Sequence, residues 1–190
     1  VRAIRPDITK KLESNGVRCF NNSFVSEICN DKALTYKYVS ERGVEIMPTY
    51  YSTEEVKGFP VVIKPKNSHG GDRVNMAESY GELMKLMPLY EGDNYVIQAV
   101  ASERGKDLRV YVIGNKIITA MLRESKTDFR SNFCLGGQAS VYDINSEEIK
   151  KVEKITKLFD FDFVGIDFVF DNGKIIFNEI EDVVGSRMVY

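Results

Sequence analysis

Two apolar runs near the C-terminus, residues 164–170 and 174–180, flank Asp171-Asn172-Gly173. That order of run, turn and run predicts a β-hairpin. With the loop centred near Gly173, Asp167 falls opposite Glu179. Side chains alternate along a strand, so Glu179 and Glu181 share a face, and Val169, Ile175 and Phe177 are expected to continue it towards the turn. The acids then stand at one end of a largely apolar surface.

Upstream, residues 1–24 read as the last unit of an α/β layer: a strand at 2–4, a helix at 6–14 with Pro6 in its first turn, a stop at Gly16 and a short strand at 17–20. Asn30 or Asp31 caps a helix to about Arg42, with Leu34, Tyr38 and Val39 apolar, and Gly43 ends it. Residues 46–51 cross Pro48 and read as an edge segment. A β-branched strand at 59–64 (FPVVIK) runs into the polar, glycine-containing loop KNSHGGDRV and a strand at 74–76. A helix at 79–87 and a strand at 95–100 follow. Residues 108–113 and 116–122 form a hairpin through Gly114-Asn115. After the long loop SKTDFRSNFCLGG, Asn145 or Ser146 caps a helix to about Phe159, with Glu147 and Glu148 well placed in its first turn. No internal repeat or low-complexity tract interrupts this order.

Composition narrows the class. The chain has 190 residues, enough for one large domain or two small lobes, with 43% hydrophobic and 28% charged residues, as in ordinary globular proteins. A formal net charge of −2 supplies no global field for nucleic acid or an anionic membrane, so an anionic ligand must be met by local basic residues. No apolar run is long enough to span a bilayer, and the start has no signal-peptide pattern. Cys19, Cys29 and Cys134 have neither zinc spacing nor a disulfide framework, and free buried thiols in a reducing cytoplasm are expected. The single histidine, His69, excludes a multi-histidine metal site. A start at Val1 and an end at Tyr190, soon after the acidic strand, suggest a piece of a longer protein.

Four segments carry candidate chemistry. Asp167, Glu179 and Glu181 would repel one another unless a cation neutralises them, and hard oxygen ligands suit Mg²⁺ or Mn²⁺; the alternative is a solvated acidic strand end. Lys64 stands at a strand end before a loop whose N–H groups can wrap phosphate oxygens, with Ser68, His69 and Arg73 as further donors. This is not a Walker A sequence, and a plain turn with a solvent lysine is the alternative. The exposed edge of a strand at Gln98–Val100 could bond a flat heterocycle such as adenine, with Asp107 on a ribose; the alternative is a domain hinge. The loop at 128–137 holds Arg130 and Asn132 among Ser131, Gly136 and Gly137, and a guanidinium there can neutralise a developing oxyanion; a simple surface loop is the alternative.

The order of these motifs is more specific than any one of them. A D-K helix start, FPVVIKP with its glycine loop, a hinge strand, D-x-R, DFRSN with paired glycines, and finally D…E-x-acid together resemble the ATP-grasp superfamily. The likeness is greatest to RimK-like carboxylate–amine ligases and runs from about Ile28 to Gly185. The resemblance implies an α+β fold of two lobes with a nucleotide cleft between them. It implies the end of an N-terminal α/β domain at residues 1–27, one lobe at 28–100 and a second at 101–190.

The resemblance further implies that Lys32 and Lys64 contact nucleotide phosphates and that Ser68, His69, Gly70 and Gly71 cover them. Gln98, Ala99 and Val100 would form the adenine hinge and Asp107 the ribose acid. Arg130, Ser131 and Asn132 would meet the nucleotide and acyl-phosphate region, with Arg130 catalytic, and Asp167, Glu179 and Glu181 would hold the metal. ATP and Mg²⁺ (or Mn²⁺) are the implied cofactors. A small-molecule or peptide carboxylate and an amine are the implied partners, in a cytoplasmic enzyme that could form a homo-oligomer. A kinase using the same nucleotide contacts and an inactive nucleotide-binding regulatory module are the rivals. The chain departs from the family pattern at Glu181, where Asn is usual, at Gln98, where an acid is common, at Arg73, where glycine is usual, and at residues 182–185.

Overall fold

The C-terminal hairpin closes the larger of two antiparallel sheets in a computed structural model that describes residues 4–68, 73–92, 94–125, 129 and 138–185. Three helices come first: α1 (Pro6–Ser14), α2 (Ser23–Cys29) and α3 (Lys32–Ser40). Pro6 sits in the first turn of α1. The Asp31 side chain caps α3 by accepting from the N–H groups of Ala33 and Leu34. The strand expected at 17–20 is absent, because Asn21 ties this stretch down instead. Its side chain donates to the Phe163 carbonyl and accepts from the N–H groups of Asp162 and Phe163. Of the strand expected at 2–4, only Ile4 is described, and it is not in a strand.

The smaller sheet joins β1 (Thr49–Tyr50), β2 (Val61–Pro65), β3 (Asn75–Ala77) and β4 (Tyr95–Ala99) in the order β1-β4-β2-β3. Helix α4 (Tyr80–Leu86) packs on it through Leu83, against Val61, Ile63 and Ile97. The larger sheet contains β5 (Lys106–Ile113), β6 (Lys116–Glu124), β7 (Gln138–Val141), β8 (Phe163–Asp171) and β9 (Lys174–Glu181), ordered β7-β6-β5-β8-β9. Helix α5 (Ser146–Thr156), started by a capping box between Asn145 and Glu148, lies before β8.

The main core lies under the larger sheet. Leu108, Val110, Ile166, Phe168 and Phe177 from the larger sheet pack with Val25 of α2, Tyr36 and Val39 of α3 and Ile155 of α5. Helix α2 therefore packs against the second sheet, and α3 packs between the two, touching both β9 and β4, although both helices precede the first sheet in sequence. Ile46 still bridges to Phe177 of the larger sheet, and the chain enters the small sheet at Thr49.

The hairpin contains the fold's most consequential irregularity. Asn172 and Gly173 both have positive φ, and Asp171 pairs with Lys174, which makes the turn two residues long. Pairing runs Phe168 to Phe177 and then Asp167 to Glu179, so Asn178 is an extra residue, a β-bulge. The bulge corrects the expected faces. Ile175 and Phe177 point into the helix-covered core, whereas Ile176 joins Val169 on the opposite face. Glu179 nevertheless meets Asp167, as the sequence predicts, because the bulge restores the pairing that the shorter turn displaced.

Candidate active site

Strands β5, β8 and β9 lie side by side, and the face away from the helices carries a ladder of charge. Asp107, Arg109 and Tyr111 alternate along β5 with the core residues Leu108 and Val110. Register sets Arg123 beside Asp107, Arg109 beside Asp167, and Asp167 beside Glu179. Arg109 donates from Nε and Nη2 to the two oxygens of Asp167, at 2.7 and 2.6 Å. Arg123 Nη2 reaches the same carboxylate at 2.7 Å, and Arg123 also holds Asp107 at 2.5 and 2.6 Å. Arg109 Nη2 lies 2.7 Å from Glu181 Oε1, and Lys32 Nζ lies 3.4 Å from Glu179 Oε2. Lys32 also donates to the Ser68 carbonyl. Gly165 makes room for this arrangement: a Cβ there would stand 2.7 Å from Val184 Cγ2 and 3.4 Å from the Arg109 side chain.

The acids respond differently to these neighbours. Burial pushes the Asp167 carboxyl up, but the charges of Arg109 and Arg123 outweigh it and hold the group down at about 2. Burial also pushes Glu179 up, yet the Lys32 ammonium carries it below the ordinary value. Glu181 ends above the ordinary value, because burial and the Asp167 charge exceed what Arg109 returns. Oxygens of Asp167, Glu179 and Glu181 all lie within 4.8 Å of one another. Oxygens sharing one Mg²⁺ stand at most about 4.2 Å apart. The donor chemistry and near-convergence fit a hard divalent cation after a small side-chain adjustment.

Lys64, at the end of β2, is buried with 6% exposure. Its ammonium donates to Tyr36 Oη at 2.8 Å, Gln98 Oε1 at 3.0 Å and Asn178 Oδ1 at 3.3 Å. All three acceptors are neutral, and burial lowers Lys64 to about 8, with Glu179 opposing only in part. Gln98 is oriented in turn by donating from Nε2 to Thr49 Oγ1 at 3.0 Å.

Between the sheets runs a cleft of about 870 Å³, open solvent included. Lys32, Lys64, Ser68, Gln98, Ala99, Val100, Asp107 and Glu179 all line it. Asp167 and Glu181 adjoin it through Glu179. Val62, Met47, Ala101 and Val169 give it an apolar part. The Gln98–Val100 edge is not free as expected, because β4 is an inner strand: Ala99 N–H donates to Pro48 O at 2.8 Å and Val100 N–H to Pro60 O at 3.1 Å. Among the described residues, the next N–H, that of Ala101, donates to nothing. Asp107 faces the cleft with both oxygens on Arg123. His69, Gly70, Gly71, Arg130, Ser131 and Asn132 lie outside the described residues.

Sequence reasoning noted Arg109 in the D-x-R motif without giving it a role, and it missed Arg123, Tyr36, Asn178 and Ala101. Two were within reach: D-x-R-x-Y on a strand puts Asp107, Arg109 and Tyr111 on one face, and the Gly114-Asn115 hairpin brings Arg123 opposite Asp107.

The family model of the RimK-like ATP-grasp domain matches residues 44–190. The chain belongs to the RimK-like ATP-grasp family. It is 32% identical to the uncharacterized protein MG011 of Mycoplasma genitalium, over 90% of this chain and 59% of that protein. It is 29% identical to a probable alpha-L-glutamate ligase of Hydrogenovibrio crunogenus, over 94% and 64%. D-alanine–D-alanine ligase from Bacillus anthracis, solved in complex with ATP, shares the fold with a TM-score of 0.75 at 20% identity, over 94% of this chain and 63% of that one. This RimK-like chain thus spans about three fifths of the length of the curated relatives it matches. No helix among the described residues is long and apolar enough to cross a membrane.

Proposed function

We propose that this protein is an ATP-dependent carboxylate–amine ligase that forms an amide through an acyl phosphate. One observation carries the reading: Lys64 from the small sheet, Lys32 from α3 and Glu179 of β9 converge on a single cleft with an apolar part. Lys64 and Lys32 take the phosphate chain, the N–H of Ala101, which has no acceptor among the described residues, is the hinge donor for adenine, and Val62, Met47 and Val169 flank the base. Asp167, Glu179 and Glu181 hold Mg²⁺ or Mn²⁺, which supplies charge neutralisation for the phosphates. A substrate carboxylate oxygen bonds to the γ-phosphorus as its bond to the β–γ bridging oxygen breaks, and ADP leaves. The amine then attacks the acyl carbon, phosphate departs and the amine loses a proton. Positioning and fixed charge do most of the work in such transfers. Arg130 is assigned the developing oxyanion on the family resemblance.

The relative named as a probable alpha-L-glutamate ligase makes an amino acid the first amine to try. The test is ADP release with Mg²⁺, screened against a panel of carboxylic acids and amino acids, with product masses recorded. A product that joins acid and amine supports the ligase. A stable phosphorylated product formed without amine indicates a kinase instead, and ATP binding without turnover indicates a regulatory module.

A further inference from the structure

We propose that Gln98 and Tyr36 are positioning residues that hold Lys64 as a buried cation with no ion-pair partner among the described residues, so that a nucleotide phosphate is the first anion it pairs with. The inference rests on the nucleotide-binding reading of the cleft. Lys64 and Lys32 both line that cleft, but their surroundings differ. Lys32 has a carboxylate, Glu179, at 3.4 Å. Lys64 has a phenol, an amide and a second amide, at 2.8, 3.0 and 3.3 Å. These neutral oxygens fix the direction of the ammonium without cancelling its charge. A buried charge left in this condition costs folding free energy, which an incoming polyanion can recover as binding.

The groups facing Lys64 leave this charge standing. From α3 come Tyr36, whose phenol burial pushes far up so that it stays neutral, and Lys32. From β4 comes Gln98, and from β9 come Asn178 and Glu179, the latter paired with Lys32. Gln98 is the pivotal choice. It is nearly the shape of glutamate, and its Oε1 already accepts from Lys64. A carboxylate in its place would satisfy Lys64 internally and set a fixed negative charge beside the phosphate path. Tyr36 supports the same geometry from the other side, and its ring packs edge-on against Phe177 at 6.4 Å.

The test is metal-free ADP binding by calorimetry, with thermal unfolding in parallel, on the wild type, Gln98→Glu and Tyr36→Phe. Omitting the metal keeps the β9 carboxylates' ligand role out of the measurement. Gln98→Glu should raise Tm and weaken ADP binding at least about tenfold. Near pH 8.5 the wild type should take up protons as ADP binds, and Gln98→Glu should abolish that uptake, a change that a merely structural role would not produce. Tyr36→Phe should weaken binding less and keep the uptake. Gln98→Glu that folds, binds ADP as the wild type does and shows the same uptake overturns the inference. Failure of the wild type itself to bind ADP overturns the nucleotide reading instead.

Discussion

Two charged regions share the cleft and are built on opposite plans. On β5, β6, β8 and β9, the carboxylates of Asp107, Asp167, Glu179 and Glu181 all have cations within reach, supplied by Arg123, Arg109 and Lys32. At the end of β2, Lys64 has only neutral oxygens within hydrogen-bond reach among the described residues. In the first region three cations already face four carboxylates before any ligand arrives, and a metal ion must compete with guanidinium groups for it. The second is uncompensated and waits for an anion. A polyphosphate carrying a divalent cation suits both at once, since it brings the missing negative charge to Lys64 and additional positive charge to the acids. The contrast also separates stability from function: the arginine-bound acids hold the sheet together, whereas the buried lysine strains it.

The largest expected effect tests the first half of that contrast. Asp167 is fully buried and binds two guanidiniums, so Asp167→Asn leaves Arg109 and Arg123 short of a charge they cannot replace. Breaking a buried pair from one side typically costs about 3–5 kcal/mol. Urea unfolding should show a loss of that order, together with loss of turnover. A drop below about 1 kcal/mol would mean the ladder is not a stabilising unit.

Lys64→Met should do the reverse. The stem keeps its volume, the uncompensated charge disappears, and stability holds or rises while nucleotide affinity falls by roughly two orders of magnitude. Tyr36 and Gln98 retain each other, at 3.5 Å, once the ammonium is gone. A strongly destabilised Lys64→Met would show that the three neutral acceptors compensate the ammonium better than proposed.

How much of this was legible in the sequence depends on which face a residue uses. The hairpin, the Asp31 and Asn145 caps and the Asp167–Glu179 pairing all follow from local patterns, because turns and caps are decided by neighbours in sequence. The Asn178 bulge was not legible. Residues 174–177 contain a continuous apolar run, Ile175-Ile176-Phe177, and a run buried on both faces gives periodicity nothing with which to fix the phase. Helix α2 is only seven residues long and β7 only four, with β7 mostly exposed, so neither carries a period. That α2 packs against the second sheet and α3 touches both sheets is a long-range packing fact that reading along the chain does not contain. The charge contrast was half visible: the acids and lysines stood out, but Arg109 entered only as part of a D-x-R motif with no role, and Arg123 read as an ordinary strand residue.

Stability against pH sharpens the contrast further. Lys64 titrates at about 8 in the fold, against an ordinary value of 10.5. Between those values the unfolded chain holds a proton that the folded chain has lost, so this group makes stability rise with pH from about 8 towards 10.5. Below that window the cost of burying the ammonium is constant. Other lysines and tyrosines titrate in the same range, so the quantity to measure is wild type minus Lys64→Met, by urea unfolding at pH 7.5 and 9.5. The wild type should gain roughly 2 kcal/mol relative to the variant over that interval. A flat difference would place the lysine's titration at its ordinary value and remove the strain on which the contrast depends.

The smallest effect belongs to Asn178, which lies between the two regions. Its backbone is the bulge that sets Glu179 beside Asp167, and its side chain is the longest of the three contacts to Lys64, at 3.3 Å. These two duties can be separated by mutation. Asn178→Ala keeps the extra residue, so Glu179 and Glu181 stay on the cleft face, and only one weak acceptor is lost. A hydrogen bond to a charged group is worth about 1.5–3 kcal/mol when well formed, and this one is long. With Tyr36 and Gln98 still in place, a loss of no more than about 1 kcal/mol in urea and a change of a few-fold in metal-free ADP affinity are expected. The removed amide also lowers Lys64 further, so the binding loss should grow as pH rises from 7 to 8.5. Should Asn178→Ala instead match Asp167→Asn in its cost, the side chain would be holding the bulge itself, and the charge centre and the lysine pocket would be one cooperative unit rather than two.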